Sequence, residues 1–117
     1  MTPRRGEIWL VNFSPSIGAE IREPHPALVV SVNELNASLW GLVVVCPLTT
    51  FRRKKPFRLH VLLHPPEGGV KNPSVIRLDQ VKSVSVERFI SLWGEVSDKT
   101  MQTSEHILSQ ILGLNRG

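Results

Sequence analysis

The apolar stretches of this 117-residue chain are short, rich in Val, Ile and Leu, and cut at frequent intervals by 8 glycines and 9 prolines. That punctuation constrains the fold more than any other feature, because brief β-branched runs between turn formers read as strands and leave little room for helices. Residues 7–13 (EIWLVNF), 27–32 (ALVVSV), 41–48 (GLVVVCPL), 57–63 (FRLHVLL) and 74–77 (SVIR) have this character, and the alternation in residues 81–86 (VKSVSV) predicts a further strand. Asn33 is placed to cap a short helical turn reaching Leu39. The C-terminal segment differs. Ser97 or Asp98 can open a helix, Met101, Leu108, Ile111 and Leu112 form its apolar stripe, and Gly113 stands where it would stop. Five or six strands followed by one helix predict a mainly β fold with a C-terminal α-helix, a small, strongly curved sheet or barrel with the helix laid against it.

The length suits a single domain over residues 1–117, and 41% apolar with 21% charged residues is the balance of a globular chain rather than a disordered one. The densest apolar run, residues 42–46, falls far short of the ~20 residues a membrane span needs, and Arg4 and Arg5 lead into Glu7 rather than a signal-peptide core. A cytoplasmic protein with no membrane partner is expected. Cys46 is the only cysteine, which excludes an intrachain disulfide and a cysteine-built zinc site. Fourteen Lys and Arg against ten Asp and Glu give a net charge of +4, which permits a polyanionic partner.

The usual enzyme signatures are missing. His60 and His64 have the four-residue spacing of helical zinc ligands, but His60 lies in a strand-like stretch. Four strand residues span about 13 Å, whereas zinc ligands sit within about 2.1 Å of the ion. No metal is expected. There is no P-loop, no G-x-G-x-x-G and no G-x-S-x-G elbow, and Gly68-Gly69 reads as a turn between strands. A stronger signal is FRRKKPFR at residues 51–58, where Arg52, Arg53, Lys54, Lys55 and Arg58 are interleaved with Phe51 and Phe57. On an arbitrary protein such charges guard strand edges. In a basic chain, cations beside aromatic faces are also what single-stranded nucleic acid requires, and five phosphate contacts would give a log-log salt slope of roughly −3.5. Thr49-Thr50, at the end of the most apolar strand, adds hydroxyls that can donate to phosphate. Pro24-His25-Pro26 fixes the direction of one histidine, since a residue before proline is driven into extended backbone.

Taken together, RGEIWLVNFSPSIGAE at residues 5–20, HPALVVS at 25–31, VVCPLTT at 44–50 and RLDQVKSVSVERF at 77–89, followed by the terminal helix, resemble the MazF/PemK family of toxin endoribonucleases, the toxins of toxin-antitoxin pairs. The resemblance covers essentially the whole chain. It implies an SH3-like small barrel, a homodimer, no cofactor, and metal-independent cleavage of single-stranded RNA, including messenger RNA, at short sequences. It also implies an antitoxin whose acidic, apolar tail lies across the RNA site. The family's chemistry uses the RNA 2′-hydroxyl as nucleophile and leaves a 2′,3′-cyclic phosphate and a 5′-hydroxyl. Such a reaction needs a proton acceptor, a proton donor and donors aimed at the growing phosphoryl charge. In the family these tasks fall largely on an arginine before the proline that opens the second strand and on the threonine that ends the third. Thr49 matches the threonine; the arginine's position holds His25.

Arginine is a permanent five-donor cation, whereas a histidine with an ordinary pKa near ~6.5 is about a quarter charged at pH 7 and is the better proton carrier. Three readings follow: His25 is the acid or base while Arg22 or the basic loop supplies charge; the protein is a weakened or silent relative; or residue 25 is an engineered inactivating change. Glu20 and Gln80 match family residues near the RNA, and Glu20 can position Arg22. Asp79 can simply hold a turn. Two other functions compete: a gyrase-poison-like inhibitor of the same fold, disfavoured because LGLNRG ends the chain with no aromatic after Trp93, and a relative that binds RNA or antitoxin without cutting.

Overall fold

The computed structural model describes residues 2–14, 18–19 and 24–114. Seven strands, β1 (Glu7–Val11), β2 (His25–Val29), β3 (Leu42–Thr50), β4 (His60–Leu63), β5 (Ser74–Arg77), β6 (Lys82–Ser85) and β7 (Phe89–Glu95), form one antiparallel sheet in the order β4-β5-β3-β2-β1-β7, with β6 also on β3. Two helices are present among the described residues: α1 (Asn33–Asn36) and α2 (Asp98–Ile111). The long third strand organises the rest. Its first half pairs with β6 (Leu42↔Ser85 to Val45↔Lys82), its middle with β2 (Ala27↔Pro47 to Val29↔Val45), and its end with β5 (Leu48↔Ile76 to Thr50↔Ser74). Both faces of β3 are covered, so its sequence is continuously apolar rather than alternating. Val43 and Val45 pack with Trp9, Val11, Ala27 and Phe89 on one side. Cys46 and Leu48 pack with Ile8, Leu28, Leu63 and Ile76 on the other, where Met101, Ile107 and Leu108 of α2 close the core.

Hydrogen bonding does not close the sheet; β4 and β7 are its two ends. The gap between them is bridged by the 3-10 turn Glu67–Gly69, pressed against β7. Only glycines fit there. A Cβ on Gly69 would stand 2.3 Å from the Trp93 carbonyl oxygen, and one on Gly94 would stand 2.7 Å from the carbonyl carbon of Gly68. The same turn anchors α2: Ser97 N–H and Thr100 Oγ1 donate to Glu67 Oε2 at 3.1 and 2.6 Å, while Ser97 Oγ accepts from Thr100 N–H at 3.1 Å as the helix cap.

Six expected strands are present, with β2 starting two residues earlier and ending three earlier than expected, β3 starting one later and ending two later, and β4 starting three later. Gly68-Gly69 makes the expected turn, with both φ values positive, and Gly113 ends α2 at φ 68°. Three expectations need correction. β7 was not anticipated: it is an edge strand with Ile90, Ser91 and Leu92 exposed, and its pairing with β1 is broken by two register shifts, which erases any clean alternation. Asn33 is the first residue of α1 rather than its cap, its Oδ1 accepting instead from the Arg5 N–H at 2.8 Å. The buried face of α2 is centred on Thr100, Ser104 and Ile107, with Met101, Leu108 and Ile111 at its flanks and Leu112 exposed, because the helix is seated through the Thr100–Glu67 contact. No helix among the described residues is long and apolar enough to cross a membrane.

Candidate functional site

The β2–β3 register, Ala27↔Pro47, sets His25 against Thr49 when continued by two residues, and period-2 alternation puts both on one face. Both residues line a single cavity of about 170 Å³, walled also by Lys71, Asn72 and Trp93. Trp93 comes from β7, and β5 brings Lys71 and Asn72. It pairs Ser74 with Thr50 and Val75 with Thr49, so the residues just before β5 arrive beside the end of β3. The turn is fixed by Ser74 Oγ donating to the Asn72 carbonyl at 2.8 Å and Phe51 N–H donating to the Pro73 carbonyl at 2.9 Å.

Thr49 and Thr50 are shared with a second cavity of about 280 Å³, lined by Arg52, Arg53, Phe57, His60 and Arg77. Arg77 is shared in turn with a third, of about 410 Å³, that holds Asp79, Gln80 and Lys82. Joined by these shared residues, the three make up a groove whose lining carries, among the described residues, five permanent cations (Lys71, Arg52, Arg53, Arg77 and Lys82) and one carboxylate, Asp79. That carboxylate is already engaged. Arg77 donates to it through Nε and Nη2, both at 3.0 Å, and His60 Nε2 lies 3.0 Å from Oδ1. Burial raises the Asp79 pKa, but the bonds and charge of Arg77 and the charge of His60 outweigh it and leave the group below the ordinary carboxylate range. For His60 the balance runs the other way: burial, Arg77 and Arg53 lower its pKa more than Asp79 raises it, so the ring favours its neutral form. Phe57, edge-on to His60 at 5.2 Å between centroids and about half exposed, offers a ring face in the groove.

The anticipated residues therefore divide. His25, Thr49, Thr50, Arg52, Arg53 and Gln80 line the groove. Lys54, Lys55 and Arg58 are exposed on the same loop and line none of the three cavities. Glu20 and Arg22 lie outside the described residues. Asp79 does more than hold a turn, since it joins Arg77 to His60. Lys71, Trp93, His60, Arg77 and Lys82 were not anticipated; the antiparallel pairing His60↔Arg77 was the available signal for two of them. His60 is bound to Asp79 and His64 is exposed, and no group of three or more His, Cys, Asp or Glu among the described residues could hold a metal ion. Cys46 is fully buried, its thiol pushed up to about 12 by burial and then by the charge of Asp79, and takes no part in the groove.

Comparison with known proteins agrees with this fold. The family model for the PemK-like, MazF-like toxin of type II toxin-antitoxin systems matches residues 4–112. Endoribonuclease MazF9 of Mycobacterium tuberculosis is 31% identical over 115 residues, covering 95% of this chain and 97% of that protein. The crystal structure of MazF from Deinococcus radiodurans superposes with a TM-score of 0.82 at 27% identity, covering 97% of this chain and 98% of that one. A MazE-MazF structure from the same organism gives 0.76 at 25% identity, covering 97% of each chain. With the match spanning nearly the full sequence and the fold in agreement, this chain belongs to the PemK-like, MazF-like toxin family of type II toxin-antitoxin systems.

Proposed function

We propose that this chain, acting as a single toxin domain, is a metal-independent endoribonuclease that cuts single-stranded RNA, messenger RNA included, at the end of the groove where His25 faces Thr49. One observation carries the reading: the cavity that these two residues line shares Thr49 and Thr50 with a groove that has, among the described residues, five fixed cations and a single carboxylate, itself paired with Arg77. Cations track the phosphates of a single strand, and Phe57 gives one base a face to stack on.

Cleavage proceeds by attack of the RNA 2′-hydroxyl oxygen on the adjacent phosphorus. The P–O bond to the 5′ oxygen breaks, giving a 2′,3′-cyclic phosphate and a 5′-hydroxyl. One proton leaves the nucleophile and one reaches the leaving oxygen. His25, the one imidazole in this cavity, is the proton carrier, and Thr49 Oγ1 donates to a phosphoryl oxygen as its charge grows. Thr50, Arg52, Arg53 and Gln80 position the strand along the groove. Lys54, Lys55 and Arg58 add charge on the approach to it, in the manner of electrostatic steering. Glu20 and Arg22, in the segment preceding β2, complete the RNA contacts.

The proposal includes a cytoplasmic homodimer and control by an antitoxin. The MazE-MazF structure of the Deinococcus relative supports the antitoxin, and the basic groove suits an acidic, apolar tail. Leu39, Trp40, Ile90 and Leu92 stand exposed and give a second copy apolar surface to cover.

The test is to incubate the purified protein with unstructured RNA in EDTA and to analyse the new ends. Cyclic-phosphate and 5′-hydroxyl termini are expected. Cleavage by His25→Arg but not by the parent would mark the chain as an impaired enzyme; absence of cleavage by both would refute the ribonuclease assignment.

A further inference from the structure

We propose that Lys71 supplies the fixed positive charge against the scissile phosphate that residue 25, as histidine, does not. The inference deepens the ribonuclease reading and rests on it. Among the described residues that wall the His25–Thr49 cavity, Lys71 is the one with a permanent charge. The cations of the basic loop line the neighbouring cavity instead. A phosphate seated between His25 and Thr49 therefore meets Lys71 as the fixed cation that the described residues place in the same cavity.

Two further observations show this lysine held for the purpose. Its ammonium lies 5.8 Å from the centroid of the Trp93 ring, which also walls the cavity, so the charge rests over an aromatic face. None of the ion pairs among the described residues involves Lys71, so no carboxylate must be displaced before it can take a phosphate oxygen. Both supports are rigid. Trp93 is followed by Gly94, locked against Gly68 and Gly69, and Lys71 leads into the turn that Ser74 and Phe51 fasten to β3. The chemistry fits the residue type: an ammonium on a flexible stem is a point charge that can follow a phosphate from ground to transition state, although it lacks the bidentate fork of arginine. Residue 25 can then move protons, a task to which a permanent cation is poorly suited.

The test is Lys71→Met, which keeps an apolar stem on the Trp93 ring while removing the charge, with Lys71→Arg as the rescue and Lys99→Ala on the exposed face of α2 as the control. Cleavage of a short RNA is followed by single-turnover and steady-state kinetics, and binding by anisotropy of the same strand carrying 2′-deoxy nucleotides. Lys71→Met is expected to lower kcat about 100-fold, with KM changing far less. It should also reduce the salt slope of binding by about 0.7, the share of one phosphate on a single strand. Lys71→Arg should recover most of the rate and Lys99→Ala should match the parent. If the parent cuts and Lys71→Met keeps its kcat and salt slope, Lys71 has no such role while the ribonuclease reading stands. If the parent neither cuts nor binds, that reading fails and the assignment of Lys71 fails with it.

Discussion

Replacing Gly94 by alanine tests whether the 3-10 turn laid against β7 is what closes this fold. Gly94 has no positive φ, so alanine brings no backbone strain and the substitution isolates crowding. The added methyl would stand 2.7 Å from Gly68 C, 2.9 Å from Gly69 N and 3.0 Å from Gly68 O. All three are backbone atoms, and none can swing aside as a side-chain tip would. Relief to ordinary contact requires the turn and the strand to separate by roughly 0.7 Å, an overpacking strain of about 2 kcal/mol. For a chain of this size that corresponds to a fall in Tm of about 10 °C. The assay is thermal unfolding by far-ultraviolet circular dichroism, with Gly113→Ala as comparison. Gly113 lies at φ 68° with nothing within 4 Å of an added Cβ, so its replacement should cost only about 1 kcal/mol. Because Trp93 adjoins Gly94 and walls the His25–Thr49 cavity proposed as the reacting centre, Gly94→Ala should also lower cleavage by more than its loss of folded protein explains. A Tm within about 2 °C of the parent would show that the glycine contact closes nothing, and the stated link from the turn to the site would fall.

Two other outcomes follow from the same contacts. Glu67 is raised by burial but lowered further by its bonds from Thr100 and Ser97, so its folded pKa lies below the ordinary 4.5. Its contribution to stability is whole above that value and drains away as the pH falls through the folded pKa. Glu67→Gln should cost about 1–2 kcal/mol at pH 7 in urea unfolding and flatten the acid limb of the stability profile. An acid limb unchanged by the substitution would contradict the reading of Glu67 as the anchor of α2. The buried thiol of Cys46 should react with a thiol-specific reagent only as fast as the protein unfolds, so labelling in native buffer at pH 8 that outpaces unfolding would contradict its burial.

Much of this architecture was legible in the chain, and the exceptions share a cause. The strands that form the interior announced themselves because each carries enough buried Val, Ile and Leu to set a pattern. β7 did not, since its pattern reflects an edge with register shifts rather than a core position. The face of α2 was misjudged because small polar residues, Thr100 and Ser104, sit at its closest approach while the larger Leu112 is left outside. At the candidate site, His25 and Thr49 were singled out through the family resemblance, and three of the five cations of the basic loop lie beside the groove rather than along it. Lys71 and Trp93 could not be seen. Their meeting depends on β5 folding back along β3 and on three glycines packing backbone to backbone, and neither event leaves a local mark on the residues concerned. A lone lysine after a glycine turn is indistinguishable in sequence from a solvated one.

The most direct measurement is a double-mutant cycle on RNA cleavage with His25→Ala, Thr49→Val and the pair. Groups that act on one phosphate in one transition state are not independent. Each single substitution should lower kcat/KM by about 100-fold, and the double variant should fall little below the worse single. If the two losses multiply in full, His25 and Thr49 do not share a reacting centre, whatever cavity they line.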